Sequence, residues 1–181
     1  LDALGADAQV GMALYTGRLG LAEAFAAPLR SDREDGLWPT VVCDQRGAAL
    51  GLVYSNLDSV RESIETGRGV YYSRSRKSLW RKGESSGNTQ ELIRIDTDCD
   101  RDALRFTVRQ AGSGFCHLGT ATCFGNTTGL DQLETTIAQR ISDAPQGSYT
   151  RRLLDDPSLL QAKLREEVDE LMEASTTSEA V

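Results

Sequence analysis

The stretch TVVCDQRGAALGLVY, residues 40–54, consists of two apolar runs on either side of the polar segment Asp44-Gln45-Arg46-Gly47. Two strand-forming runs separated by a short polar segment with glycine are typical of a β-hairpin. Three further stretches, residues 70–73, 91–95 and 104–108, alternate as strands do. We therefore expect a β-rich domain around the hairpin, in which a long polar loop, residues 74–89, joins the first two of these strands.

Helical patterns lie inside and after this β-rich region. Residues 58–66 predict a short helix, with Ser55 or Asn56 as its cap. Two later stretches, residues 130–141 and 159–174, carry apolar residues at helical spacing. The fold class predicted is therefore α+β, with a β-rich domain followed by an all-α segment.

The N-terminal residues predict short elements and a linker. Residues 8–11 are strand-like, residues 21–27 predict a short helix, and the polar run over residues 30–36 predicts the linker. The chain begins at Leu1 without a methionine, so we expect it to be a piece of something longer.

Charge is unevenly distributed along the chain. The net charge of −7 argues against general affinity for nucleic acid. Residues 67–83 contain six basic residues and no acid, whereas acids dominate residues 155–173. A basic loop in an acidic protein suits a small phosphorylated ligand better than a polyanion. With no apolar run of membrane-spanning length and no signal-peptide pattern, we expect a soluble, cytoplasmic protein that binds neither membrane nor nucleic acid.

Three carboxylates alternate in the segment Asp98-Cys99-Asp100-Arg101-Asp102. They lie on one side of the chain if the segment is extended, and hard oxygen ligands at this spacing suit Mg²⁺. A solvated acidic turn is the alternative interpretation. Cys99 points to the opposite side and offers a soft ligand to a different metal.

Four cysteines without a secretion signal are expected to be reduced. Cys43, within an apolar run, fits a buried core residue. Cys99, Cys116 and Cys123 together would form a zinc site with one open position, as in catalytic zinc sites. His117, the single histidine of the chain, adjoins Cys116 and is a candidate for proton transfer, although a structural role is the alternative.

The polar loop that follows Tyr72 combines guanidiniums, hydroxyls, glycines and one indole. Arginine side chains and backbone N–H groups freed by glycine bind phosphate, and the Trp80 indole can cover the face of a purine. The loop therefore predicts a binding site for a phosphorylated purine. The alternative is a solvated basic loop.

Taken together, these segments resemble phosphoribosyl-AMP cyclohydrolase over residues 35–125. The segments that carry the resemblance are YSRSR (72–76), LWRKGESSGN (79–88), DCDRD (98–102), Cys116-His117 and Cys123-Phe124. The resemblance is especially close to the cyclohydrolase region of the fused fungal-type histidine enzymes, which share sequence segments such as GRGVYY (67–72). The family opens the N1–C6 bond of the purine ring of phosphoribosyl-AMP with water in histidine biosynthesis.

The resemblance implies two metals and an intertwined homodimer. The ligands implied are Asp98, Asp100 and Asp102 for Mg²⁺, and Cys99, Cys116 and Cys123, drawn from both subunits, for Zn²⁺. The substrate-binding residues we expect are Arg74, Arg76, Trp80, Lys82, Ser85 and Ser86. In the mechanism that follows, zinc-activated water attacks C6 of the N1-ribosylated purine and His117 moves a proton.

The helical tail contains the segment GSYT (147–150), followed by Leu153, Lys163, Glu166, Glu167 and Glu170. Through these residues it resembles the start of phosphoribosyl-ATP pyrophosphohydrolase, which makes the cyclohydrolase's substrate. Glu167 and Glu170 would share one helical face as further Mg²⁺ ligands, with a solvated acidic face as the alternative. Because the second acidic pair of that family is not found in the chain, we expect this part to be incomplete and inactive. The first 28 residues resemble the last strand and helix of the (β/α)8 barrel isomerase that acts next. The predicted domains are residues 1–34, 35–126 and 127–181.

Two other function classes compete with the cyclohydrolase. A non-catalytic zinc module needs a fourth ligand, but Cys43 lies far off in an apolar strand. A zinc nucleobase deaminase would show His-x-Glu and Pro-Cys-x-x-Cys signatures, and the sequence has neither.

Overall fold

The computed structural model describes residue 4 and residues 8–125 and 129–174. Residues 126–128, where the sequence predicts a domain boundary, lie outside the described residues. The chain divides into two compact units, Leu1–Asn126 and Thr127–Val181. Strands dominate the first unit and helices make up the second, so the mixed α and β prediction is confirmed at that level. Among the described residues, no helix is both long and apolar enough to cross a membrane.

The described residues of the first unit form three α-helices and six strands. In chain order they are α1 (Gly11–Tyr15), α2 (Leu21–Ala26), β1 (Trp38–Cys43), β2 (Ala49–Ser55), α3 (Leu57–Thr66), β3 (Val70–Ser73), β4 (Ser78–Arg81), β5 (Gln90–Thr97) and β6 (Leu104–Gln110). Four strands form one sheet in the order β2-β1-β6-β5, and β3 pairs with β4 separately. β1 is antiparallel to β2 and parallel to β6, so the predicted hairpin is confirmed and lies at one side of the sheet.

Strand β4 corrects the prediction of an uninterrupted polar loop over residues 74–89. β3 and β4 form an antiparallel pair in which Tyr71 lies opposite Trp80, and the centroids of these two rings are 5.9 Å apart. The aromatic contact across the pair stabilises β4. The sequence pattern does not predict this strand, because it has only four residues and two of them, Ser78 and Arg81, are polar. The basic segment is therefore divided between a hairpin turn and a second loop.

Helix α3 begins and ends where local signals place it. The Asn56 Oδ1 atom accepts a hydrogen bond of 2.9 Å from the Ser59 backbone N–H, and the Ser59 hydroxyl accepts one of 2.9 Å from the Asn56 backbone N–H. This reciprocal pair is a capping box. Gly67 ends the helix in the left-handed conformation, with φ of 64°.

The core of the first unit forms between the main sheet, α3 and the β3–β4 pair. Val42, Val60, Tyr71 and Phe106 are fully buried in it. Ala22 of α2 belongs to the same cluster, so the N-terminal segment packs onto this unit.

The predicted strand at residues 8–11 is wrong. Residues 8–10 form no strand, and α1 begins at Gly11, where the Leu14 backbone N–H donates to the Val10 carbonyl at 3.1 Å. The run Met12-Ala13-Leu14 consists of strong helix formers without a β-branched residue, which explains the difference.

The described part of the second unit forms the helices α4 (Gly129–Asp143), α5 (Tyr149–Asp155) and α6 (Pro157–Glu173). The two longer helices confirm the helical spacing, whereas α5 is not predicted. Local caps define the starts of α5 and α6: the Ser148 hydroxyl accepts from the Arg151 N–H at 3.2 Å, and Asp156 accepts from the Ser158 N–H at 3.0 Å. No described side chain of residues 129–174 is buried.

Candidate active site

A cavity of about 490 Å³ in the first unit gathers most of the predicted site residues. Its walls come from β4, the loop of residues 82–89 and the loop of residues 111–125 after β6. The lining residues are Arg76, Trp80, Lys82, Gly83, Ser85, Ser86, Asn88, Ser113, Phe115, Cys116, His117, Gly119 and Cys123. Five of the six predicted substrate-binding residues thus face two of the predicted zinc ligands and the histidine.

Cys116 and Cys123 form a thiol pair with unequal acidity. Hydrogen bonding from the Leu118 backbone, and then from the Thr120 side chain, lowers the pKa of Cys116. Burial, and then the charge of Cys116, raises the pKa of Cys123. These opposite shifts in pKa make Cys116 the more acidic thiol of the pair.

The loop that carries this pair is attached to the edge strand β2. The Cys123 backbone N–H donates to the Leu50 carbonyl at 2.8 Å, and the Phe115 N–H donates to the Ala121 carbonyl at 2.9 Å. A Cβ atom at Gly51 would lie 2.4 Å from the Phe115 ring. The glycine on β2 therefore permits the close approach of the Phe115 ring and, through it, of the thiol loop.

Lys82 is a buried cation beside the thiols. Its side chain is only 8% exposed, and its Nζ atom lies 5.2 Å from the centroid of the Phe115 ring and 6.0 Å from that of Trp80. Burial lowers the pKa of Lys82, while the charges of Cys123 and Cys116 raise it. The charge of Lys82 and the charges of the two thiols are therefore coupled inside the cavity.

Arg74, the sixth predicted substrate-binding residue, lies in a neighbouring cavity of about 510 Å³. Its guanidinium carbon is 3.9 Å from the centroid of the Tyr54 ring, a cation–π contact. Trp80 lines both cavities. Sequence reasoning missed Tyr54, because its position at the end of a strand carries no signal of its contact with a loop 20 residues away.

The three aspartates gather in the turn between β5 and β6. One carboxylate oxygen from each of Asp98, Asp100 and Asp102 lies within 4.8 Å of the others. The grouping is as expected, but the segment is a turn rather than extended: Arg101 has φ of 69°, and Asp98 Oδ1 accepts from the Asp102 N–H at 3.0 Å.

The pKa values of two of these aspartates shift in opposite directions. Hydrogen bonding from the Ala103 backbone lowers the pKa of Asp98, whereas the hydrogen bond to Asp98 raises the pKa of Asp102. Ionised carboxylates at this distance repel one another, and a divalent cation bound between them relieves that repulsion. The donor set therefore fits Mg²⁺.

Cys99 does not join the other two predicted zinc ligands within one chain. It lies in the turn before β6, whereas Cys116 and Cys123 follow the opposite end of that strand. β6 has seven residues and spans roughly 20 Å at about 3.3 Å per residue. Cys43 is buried, as expected of a core residue, although it lies outside the main apolar cluster.

Glu167 and Glu170 lie on α6 and are both exposed. Their i, i+3 spacing places them on one face of the helix. Among the described side chains, the aspartate group is the only set of three metal-binding groups at ligand distance. The two glutamates therefore have no third metal-binding side chain at ligand distance among the described residues.

Two family models match this chain. Residues 51–125 match phosphoribosyl-AMP cyclohydrolase, and residues 130–181 match phosphoribosyl-ATP pyrophosphohydrolase. The doubt about a complete pyrophosphohydrolase part is not borne out. It rested on one missing acidic pair, whereas the match extends over the helical segment.

Curated relatives carry corresponding names. A histidine biosynthesis bifunctional protein of Schizosaccharomyces pombe is 54% identical over 164 residues, which are 91% of this chain and 39% of the relative. A histidine biosynthesis trifunctional protein of Saccharomyces cerevisiae is 53% identical over 88% of this chain and 20% of its own length. A bifunctional protein of Thermus thermophilus is 41% identical over 66% of this chain and 60% of the relative. The chain thus spans about two fifths of the first of these relatives and about one fifth of the second.

Proposed function

This chain belongs to the histidine-biosynthesis cyclohydrolase and pyrophosphohydrolase families, through residues 51–125 and 130–181 respectively, and from that premise we propose that its first unit hydrolyses the N1–C6 bond of phosphoribosyl-AMP. The observation that carries the proposal is the 490 Å³ cavity, in which a thiol pair and a histidine face a basic loop and an indole. A ring-opening hydrolase needs a water nucleophile, a proton carrier and groups that hold phosphate, and this cavity offers residues for each.

The thiol pair supplies two ligands of a zinc site. Two thiols that line one cavity, one of them with a lowered pKa, are a soft donor set of the kind Zn²⁺ prefers. Zn²⁺ bound there supplies a water nucleophile at neutral pH by lowering the pKa of water. Because Cys99 lies beyond the other end of β6, the third ligand comes from a second copy of the chain in this proposal. Activity then requires a homodimer with shared zinc sites.

The chain's own residues orient the substrate and move its protons. His117 is exposed and lines the cavity, so its imidazole can exchange protons with the purine as the N1–C6 bond breaks. The Trp80 indole covers the purine face. Phosphoribosyl-AMP has two phosphate-bearing arms, and the two cavities on either side of Trp80, with Arg76 in one and Arg74 in the other, fit one arm each.

Hydrolysis of phosphoribosyl-AMP by the purified chain, followed by ultraviolet absorbance, tests the proposal. We expect turnover that requires both Mg²⁺ and zinc and that stops when a zinc chelator is added. Replacing Arg76 with Gln should raise KM, whereas Lys77→Gln, a neighbouring change in a residue that lines neither cavity, should not. A folded, zinc-loaded dimer without turnover would refute the assignment.

For the second unit we propose hydrolysis of phosphoribosyl-ATP to phosphoribosyl-AMP and pyrophosphate. Glu167 and Glu170, on one face of α6, would hold Mg²⁺ on the phosphates. Pyrophosphate release should fall in Glu167→Gln but not in Glu166→Gln, because the carboxylate of Glu166 pairs with Lys163 at 2.7 Å. Equal rates in both variants would remove Glu167 from the site.

A further inference from the structure

We propose that Gln110 is a positioning residue for the ring-opening reaction, because its side-chain amide clamps together the two loops that line the candidate active site. The proposal rests on the cyclohydrolase function given above. Gln110 is the last residue of β6 and does not line the cavity. Any effect it has on the reaction is therefore transmitted through other residues.

A chain of buried side chains leads from the core to Gln110. The Tyr71 hydroxyl donates to Gln90 Oε1 at 2.6 Å, and Gln90 Nε2 donates to Gln110 Oε1 at 2.8 Å. Tyr71 and Gln90 are almost completely buried, where an unpaired amide would be costly. The relay therefore holds the Gln110 side chain in one place.

The far end of Gln110 is where the two loops meet. Its Nε2 atom is 2.6 Å from the Ala111 carbonyl oxygen, 3.2 Å from that of Thr89 and 3.3 Å from that of Asn88. Thr89 and Asn88 end the loop that begins at Lys82, and Ala111 begins the loop that carries the thiols. One amide group therefore bonds to both walls of the cavity.

These carbonyls also fix the orientation of each amide in the relay. A backbone carbonyl can only accept a hydrogen bond, so Gln110 must turn its NH₂ group toward them and its oxygen toward Gln90. Gln90 must then present its NH₂ group to Gln110, which leaves its oxygen to accept from Tyr71. No member can flip without a lost hydrogen bond, so the relay has a single arrangement.

The Asn88 side chain extends the clamp toward the thiols. Asn88 Oδ1 accepts from the Ser113 backbone N–H at 3.0 Å, and Asn88 Nδ2 donates to the Ser113 hydroxyl at 3.1 Å. A Cβ atom at Gly112 would lie 2.2 Å from Asn88 Oδ1, and one at Gly83 would lie 2.4 Å from the Thr89 nitrogen. At Gly112 the two loops approach too closely for a side chain, and at Gly83 the first loop folds too tightly onto itself for one.

The position of the clamp predicts its effect on the reaction. Ser113 is three residues before Cys116, and Asn88 is two residues after Ser86, which faces the thiols across the cavity. Loosening the clamp shifts His117 and the thiols relative to the loop of residues 82–89, but it removes no metal ligand. We therefore expect a lower kcat in a protein that remains folded and binds zinc.

The test uses Gln110→Glu and Gln110→Met in the full chain. Glutamate has the same shape but, when ionised, donates nothing to the carbonyls, and methionine removes the donor without adding charge. Gln45→Glu, at an exposed position of the β1–β2 turn, is the matched control for the added charge. Outer-shell partners of metal sites typically change activity about 10- to 100-fold, and we expect kcat per folded, zinc-loaded protein to fall by that factor in both Gln110 variants.

Amide hydrogen exchange at Ser113 gives a readout that does not depend on activity. We expect the Ser113 N–H to exchange at least tenfold faster in both Gln110 variants and unchanged in Gln45→Glu. Faster exchange with unchanged kcat would show a merely structural clamp and overturn the proposal, as would unchanged exchange. If wild type and Gln45→Glu are both inactive, the cyclohydrolase assignment fails. Unchanged exchange of the Ser113 N–H in the Gln110 variants refutes the clamp whether or not the protein is active.

Discussion

The two units of this chain use apolar residues differently. In the first unit, Val60 of α3 and Phe106 of β6 are fully buried in the core. In the second, Leu133 of α4 is 53% exposed and Leu164 of α6 is 57% exposed, although both lie on apolar stripes at helical spacing. The comparison teaches that an amphipathic pattern predicts a helix in either unit, but a buried core forms only where non-local partners cover the pattern.

The largest effect we expect separates activity from stability within the first unit. Cys116→Ser should abolish cyclohydrolase turnover, because it removes a zinc ligand of the proposed site, and should leave the unit folded, since Cys116 is outside the core cluster. Turnover, zinc content and thermal unfolding measure the three properties. Cys43→Ala is the matched control, and its turnover per folded molecule should equal that of wild type. Retained turnover in Cys116→Ser would remove zinc from the mechanism.

Core truncation tests the first half of the comparison. Phe106→Ala should lower the free energy of unfolding of the first unit by about 3–5 kcal/mol, because a buried aromatic side chain leaves a cavity that packing only partly closes. Both tryptophans of the chain, Trp38 and Trp80, lie in this unit, so their fluorescence in urea follows its unfolding alone. A loss below about 1 kcal/mol would show that this core does not stabilise the unit as described.

Removing a helix cap should lower the stability of the helix by the same amount in both units, because a cap acts only on neighbouring residues. Asn56→Ala removes the cap of α3, and Asp156→Ala removes that of α6. Each should destabilise its helix by about 1 kcal/mol. Urea unfolding followed by circular dichroism measures both variants, and a difference of more than about twofold would show that tertiary context dominates capping here.

The smallest effect tests the second half of the comparison. Leu164→Ala should change the free energy of unfolding of the helical unit by less than about 0.5 kcal/mol, because the side chain is mostly exposed and both residues favour helix. Thermal unfolding by circular dichroism measures it. A loss of about 2 kcal/mol or more, as for buried leucines, would show that the apolar stripe of α6 is covered in solution.

Local signals in the sequence were enough for much of the fold. The β1–β2 hairpin follows from two apolar runs and a turn segment, and helix α3 follows from Asn56 at its start. Strand β4 was not predictable in this way, because it is stabilised by the contact of Trp80 with Tyr71 across the pair. The short helix α5 was also missed, since its seven residues are too few for periodicity to emerge.

The candidate site was predictable as a set of residue types but not as an arrangement. Cys116, Cys123 and His117 line one cavity with the basic loop, as their chemistry suggested. The separation of Arg74 from Arg76 on either side of Trp80 was not predictable, nor was the burial of Lys82 beside the thiols. Both depend on how β4 pairs with β3, a contact between residues that the local pattern treats independently.

The sequence by itself determined the elements whose cause lies within a few neighbouring residues: the hairpin, the caps, the helical stripes and the ligand types of the aspartate turn. Only the tertiary structure decided that Cys99 and the thiol pair lie at opposite ends of β6. It also decided that Gln110 joins the two loops of the cavity. The physical reason is the separation along the chain over which each kind of interaction acts. Capping and turn preferences act over three or four residues, whereas these arrangements depend on contacts between residues that are 20 or more positions apart in the chain.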